Sequence, residues 1–139
     1  QEKYLITKDG ETYILTLSTT NNDSILFNMK LDKDIICSYY EVERNYKDLI
    51  DLSKQFFAAE SLSDSWDFLI ANINKYQKDI FFEINDNKLE LSIKFDYLRK
   101  KTSMGKISLM KKEYDLNDVL VKLDKKYRRK IELYYIRTK

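Results

Sequence analysis

Histidine and proline are absent from this chain of 139 residues, glycine occurs twice and cysteine once. Without histidine, the commonest general base and the commonest metal ligand are missing together. Gly10 and Gly105 are too few to build the glycine-rich loops whose backbone amides close on a phosphate. Nucleotide sites of that kind are therefore excluded, and Ser-His-Asp catalysis with them. A lone Cys37 forbids an intrachain disulfide, and its place in the run Ile35-Ile36-Cys37 predicts a small buried hydrophobe. That usage fits a reducing, intracellular setting, cytoplasmic or cytoskeletal, with the nucleus open as well. No apolar run approaches the roughly 18 residues of a membrane span, and the N-terminus lacks the basic-then-apolar pattern of a signal peptide. The start at Gln1 and an end in mid-helix suggest a piece of a longer protein.

What is present is material for one core. Hydrophobic residues make up 43% of the chain, with 7 Phe and 11 Tyr, enough for a single domain of this length. Against 25 Lys and Arg stand 23 Asp and Glu, a formal net charge of +2. So even a balance does not by itself mark a nucleic-acid or membrane binder.

Strand periodicity dominates both halves. Tyr4–Lys8 and Glu11–Ser18 flank Asp9-Gly10, a dipeptide that readily takes the positive φ angles of a two-residue hairpin turn. In the second strand Tyr13, Leu15 and Leu17 share a face. Past the turn-forming Thr19-Thr20-Asn21-Asn22-Asp23, the alternation of Ile25, Phe27, Met29 and Leu31 predicts a third strand, and residues 35–43 a fourth. After residue 79 alternation returns with Ile80, Phe82 and Ile84, is broken by Asn85-Asp86-Asn87, and resumes from Leu89 to Tyr97. Arg99–Lys106 reads as a basic loop and Ile107–Lys112 as a short seventh strand.

Between these groups the period changes to about 3.6. Tyr46, Leu49, Ile50, Phe56 and Phe57 predict a helix over 46–58 capped by Asn45. Trp66, Leu69, Ile70, Ile73 and Tyr76 predict a second, capped by Ser63 or Ser65. The expected fold is a β-rich α+β head over residues 1–114: a seven-stranded antiparallel β-sandwich or barrel-like sheet, with a helical hairpin at about 46–76 inserted between strands four and five. A C-terminal helix over 115–139 completes it. Capped by Asp115, it carries Leu116, Leu120, Leu123, Tyr127, Ile131 and Tyr134 at steps close to a heptad, with Lys130 where the seam would continue.

No motif speaks for catalysis, a cofactor or a metal. Asp32/Asp34, Glu41/Glu43 and Asp64/Asp67 lack the spacing of a calcium loop or of an acid–base pair, and read as solvated surface. The cations Arg99, Lys100, Lys101 and Lys106 suit phosphate groups of a nucleic acid or a lipid headgroup, or simply a charged loop that keeps strand edges from aggregating. Lys122, Lys125, Lys126, Arg128, Arg129 and Lys130 suit the flanks of an apolar helical stripe. Trp66 heads a regular stripe and is expected in the core rather than at an interface. Tyr134, Tyr135 and Ile136 are harder to bury and are candidates for a partner.

Four strands, a helical hairpin, three strands and a terminal helix resemble the head domains of the centriolar cartwheel scaffold family and of the related end-joining DNA-repair scaffolds. The likeness lies in element order over nearly the whole chain, with Tyr46 to Tyr76 followed by Ile80-Phe81-Phe82-Glu83-Ile84. The resemblance implies a small β-sandwich, a parallel coiled coil grown from the terminal helix, and no enzymatic activity. It also implies a second contact, in which an apolar residue at the tip of the loop between the last two strands enters a neighbouring head; Met104 is the candidate here. The expected function is a structural module working through self-association or a protein partner, with binding of phosphoinositide or nucleic acid by the basic loop as the alternative.

Overall fold

The computed structural model describes the backbone of residues 1–138 and the side chains of residues 1–129. Seven strands form one antiparallel sheet: β1 (Glu2–Lys8), β2 (Glu11–Thr19), β3 (Ser24–Leu31), β4 (Ser38–Asn45), β5 (Phe81–Asn85), β6 (Lys88–Tyr97) and β7 (Lys101–Glu113). Their order across the sheet is β1-β2-β3-β4-β7-β6-β5. The sheet is continuous because β4 pairs with β7 from Ser38 opposite Glu113 to Glu41 opposite Met110. It curls into a half-barrel, bringing the two ends of the strand order close together. Across them Lys8 Nζ donates to the Phe82 carbonyl at 2.7 Å, and the Tyr13 and Phe82 rings meet edge to face at 4.8 Å.

Alternation decides which face is inside. Leu15 and Leu17 on β2, Ile25, Phe27 and Met29 on β3, and Leu89, Leu91, Ile93 and Phe95 on β6 are all fully buried on the concave side. The first turn behaves as Asp9-Gly10 dictates: both residues have positive φ, 52° and 80°, and the flanking Lys8 and Glu11 pair directly. Such a turn matches the twist of its strands, which fixes the register and therefore the face of every residue in β1 and β2.

Helical segments lie between β4 and β5 and pack onto the concave side. The stretch expected as one α-helix over 46–58 is instead two short 3₁₀ turns, Tyr46–Asp51 and Lys54–Ala58. At three residues per turn, Leu49 and Leu52 fall on one side and are buried, while Ile50 is 40% and Phe57 82% exposed. Ser53 interrupts the run: its hydroxyl accepts the Gln55 amide and starts the second turn. The α-helix α1 (Leu62–Lys75) is capped by Ser61, whose hydroxyl accepts the Asp64 amide, rather than by Ser63 or Ser65. Leu69 and Ile73 are its buried stripe, and Trp66 is half-buried against the same core. Phe56 of the second 3₁₀ turn, Phe68 of α1 and Phe95 of β6 form an aromatic triangle with ring centroids 4.9–5.9 Å apart.

Polar bonds fix the end of α1 on β6. Asn72 is 3% exposed, donates to the Phe68 carbonyl at 2.8 Å and accepts the Asp96 amide at 2.7 Å. The Asp96 carboxylate takes bonds from Tyr76 and, at 2.9 Å, from Lys75.

Three further expectations are corrected. β4 begins at Ser38, so Cys37 precedes it and is exposed. Strand β7 starts at Lys101, not at Ile107, because β6 offers a partner all the way to Tyr97. Most of the stretch read as a loop is therefore sheet, and the turn is Leu98-Arg99-Lys100, with Arg99 and Lys100 at φ 58° and 66°.

Candidate interaction surface

The C-terminal helix α2 (Leu116–Thr138) starts where the sequence places it. The Asp115 carboxylate accepts the Asn117 amide at 2.7 Å, a side-chain cap on one of the unpaired amides of the first turn. Tyr114, just before the helix, packs on Tyr39 of β4 with ring centroids 4.7 Å apart, and Lys122 sits over the Tyr114 ring. Burial, with the nearby Tyr39 and Glu41, raises the Tyr114 hydroxyl above its ordinary pKa of 10.0. Further along, Lys126 reaches Asp34 at 3.8 Å, and Leu123 and Tyr127 face Asp32–Ile35 across a shallow groove.

These contacts hold the helix near the head without burying its apolar seam. Val119 is 6% exposed and is the anchor among the described residues of α2, a residue the heptad reading passed over because it lies off the seam. Leu116 is 69% exposed, Leu120 52%, Leu123 46% and Tyr127 67%. Val121, also missed, is 52% exposed. Ile131 and Tyr134 lie outside the residues whose side chains are described.

The other candidates are distributed differently from expectation. Met104 is not at a loop tip: it lies within β7 opposite Lys94 and borders a groove with Phe81 and Thr102. The apolar residue at the turn is Leu98, 64% exposed, next to Tyr97. Sequence patterning missed this because a basic stretch with one glycine looks like a loop until its partner strand is known. Arg99, Lys100 and Lys101 are adjacent at the turn. Lys106 lies five residues further along β7 than Lys101, about 17 Å at strand rise, and is paired with Glu90 at 3.6 Å. The four cations are thus one group of three and one apart.

Each carboxylate pair has at least one member with a partner, Asp34 with Lys126 in the first. Glu41 accepts from Asn28 at 3.0 Å and neighbours Lys112, Glu43 accepts from Thr20, and Asp64 accepts the Glu60 amide. Among the described residues no group of three or more His, Cys, Asp or Glu side chains could hold a metal ion, and no helix is long and apolar enough to cross a membrane. Hydrogen bonds from Tyr76 and Lys75 hold the Asp96 carboxyl below its ordinary 3.8, and Lys75 is raised by the same contact. These groups join α1 to β6. No protein-family model and no curated protein matches the chain.

Proposed function

We propose that this chain is a non-catalytic assembly module, a β-rich head that presents its terminal helix for pairing with a second copy. The observation that carries this reading is the exposure of Leu116, Leu120, Leu123 and Tyr127, each 46–69% open to solvent along one heptad seam. Fully burying a leucine side chain is worth roughly 1.5–3 kcal/mol, so a seam left open in the monomer is a standing drive to association. Steps of four, three and four favour a helix of the same kind as partner, because knobs at these positions fit holes of equal spacing. Val119, off that seam, anchors the helix and leaves Leu116 and Leu120 open, while Leu123 and Tyr127 stay largely exposed at the border of the groove beside Asp32–Ile35. Likeness in element order to the cartwheel and end-joining scaffold heads supports the same reading.

Sedimentation equilibrium of the protein over a wide concentration range tests it. A dimer that persists in high salt, and that Leu120→Glu converts to monomer, is expected. A monomer at the highest concentrations, or a dimer that Leu120→Glu leaves unchanged, refutes the reading.

A second reading rests on the turn itself. Arg99 and Lys100 are held at its tip beside Lys101 and the exposed Leu98, an arrangement suited to an anionic lipid headgroup or a nucleic-acid backbone. Binding there would fall steeply with salt and be abolished by Arg99→Glu with Lys100→Glu, whereas apolar helix pairing would be indifferent to both.

A further inference from the structure

An antiparallel sheet with an odd number of strands can close on itself only through one parallel pair. Directions alternate across β1-β2-β3-β4-β7-β6-β5, so the end strands β1 and β5 run the same way. Curling brings them close, but the described bond across the cleft is a side-chain one, from Lys8 Nζ to the Phe82 carbonyl. A strand added beside β1 to continue the alternation would run antiparallel to it.

Register shows what this cleft offers. In an antiparallel pair every second residue exchanges both backbone bonds with its neighbour, while the residues between point theirs the other way. The two-residue turn makes Lys8 and Glu11 a bonded pair, which puts Ile6, Tyr4 and Glu2 in register with it. Lys3, Leu5 and Thr7 therefore direct their N–H and C=O groups away from β2, into the cleft. The same reasoning from Asn85 opposite Lys88 leaves the Phe82 and Ile84 backbone groups free on β5. Lys8 bonds to one of them, the Phe82 carbonyl, an independent check on the assignment.

The cleft beside β1 is a groove of about 850 Å³ between Leu5–Thr7 and Asn74–Ile80. Lysines on an edge strand ordinarily serve to repel other strands, and Lys3 and Lys8 fit that role. Leu5 does not, because it stands 62% exposed at the centre of the edge. Two charges on the opposite wall are already matched, Lys75 by Asp96 at 2.9 Å and Asp79 by Lys94 at 3.5 Å. Lys78, the remaining charged residue of the lining, is in none of the described ion pairs, so the unmatched charge of the groove wall is positive.

We propose that the free edge of β1 is a strand-addition site for an extended peptide segment of a partner protein, apolar and acidic in alternation, lying antiparallel to β1 as an eighth strand. Backbone bonds to Lys3, Leu5 and Thr7 supply affinity, Leu5 an apolar contact, and Lys78 on the opposite wall the preference for acidic side chains. A second copy pairing edge to edge does not fit, because the wall formed by Asn74–Ile80 stands where the second sheet would continue. The site is independent of the terminal helix.

The probe is a synthetic peptide as long as β1, 7 residues, acetylated and amidated, alternating valine with glutamate. Saturable binding is expected, with slowed hydrogen exchange at the Leu5 and Thr7 amides, and at least tenfold weaker binding when lysine replaces the peptide's glutamates. Leu5→Pro removes a donor that the fold does not use and should weaken binding at least tenfold with the circular dichroism spectrum unchanged. Should that variant unfold, Lys78→Glu, on the exposed opposite wall, decides the matter through a several-fold loss. No saturable binding up to about 1 mM, protection at other amides, equal binding of the lysine peptide, or a folded Leu5→Pro protein that binds normally would each overturn the proposal. So would concentration-dependent protection of Leu5 without peptide, which would assign the edge to a second copy.

Discussion

Gly105→Ala is the sharpest test of how the helical segments sit on the sheet. Gly105 is buried in β7 opposite Ile93, with a backbone conformation open to any residue, so its cost on substitution is steric. An added Cβ would lie well inside van der Waals contact distance of the Leu52 carbonyl oxygen and 2.9 Å from Phe95 Cε2. Neither neighbour can give way cheaply. Leu52 is main chain at the junction of the two 3₁₀ turns, and Phe95 is fully buried between Phe56 and Phe68. Overpacking of this kind costs about 1–3 kcal/mol, and a backbone obstacle places it at the upper end. Loss of glycine's freedom in the unfolded chain offsets about 0.4–1 kcal/mol. The expected net loss is about 2 kcal/mol, a drop of about 1 M in the urea midpoint at a slope near 2 kcal/mol/M. Phe95→Leu combined with Gly105→Ala should cost less than the sum of the two, since the smaller side chain makes room for the methyl group. A Gly105→Ala midpoint within about 0.2 M of the parent would mean that Leu52 does not press on β7, and the seating of the helical segments would have to be redrawn.

Tyr4 is 5% exposed and its hydroxyl has no hydrogen-bond partner among the described residues, so Tyr4→Phe should be neutral or stabilise by up to about 1 kcal/mol; a clear loss in urea unfolding would reveal a bond to the hydroxyl. Asp96 titrates below its ordinary 3.8 in the folded protein, so its stabilising effect is complete above that value and is lost as pH falls toward the depressed one. Asp96→Asn should flatten that part of the acid-unfolding curve, and an unchanged curve would show that the contact to Tyr76 and Lys75 is absent in solution. Cys37 is exposed and should react with a thiol reagent in the native protein nearly as fast as in urea, whereas strong native protection would mean that the strand begins earlier than Ser38.

Residue order fixed much of the local structure. Asp9-Gly10, with little steric cost at positive φ, set the first hairpin, and unbroken alternation set β3 and β6. Asp115 marked the start of α2, and the exposed seam of that helix was legible as Leu116, Leu120, Leu123 and Tyr127 because heptad spacing is itself a sequence property. Long-range contacts decided the rest. A strand's length depends on its partner, so β7 reached back to Lys101 only because β6 extends to Tyr97, and Met104 thereby moved off the tip. The 3₁₀ geometry of Tyr46–Ala58 arose where Leu49 and Leu52 had to reach the core and a carbonyl had to fit over Gly105, a constraint no local propensity encodes. Pairing of β4 with β7 turned two sets of strands into one curled sheet and left β1 and β5 as parallel, unpaired edges. Few glycines and no histidine excluded chemistries from the start, but the open edge exists only in three dimensions, since it depends on how many strands one sheet collects.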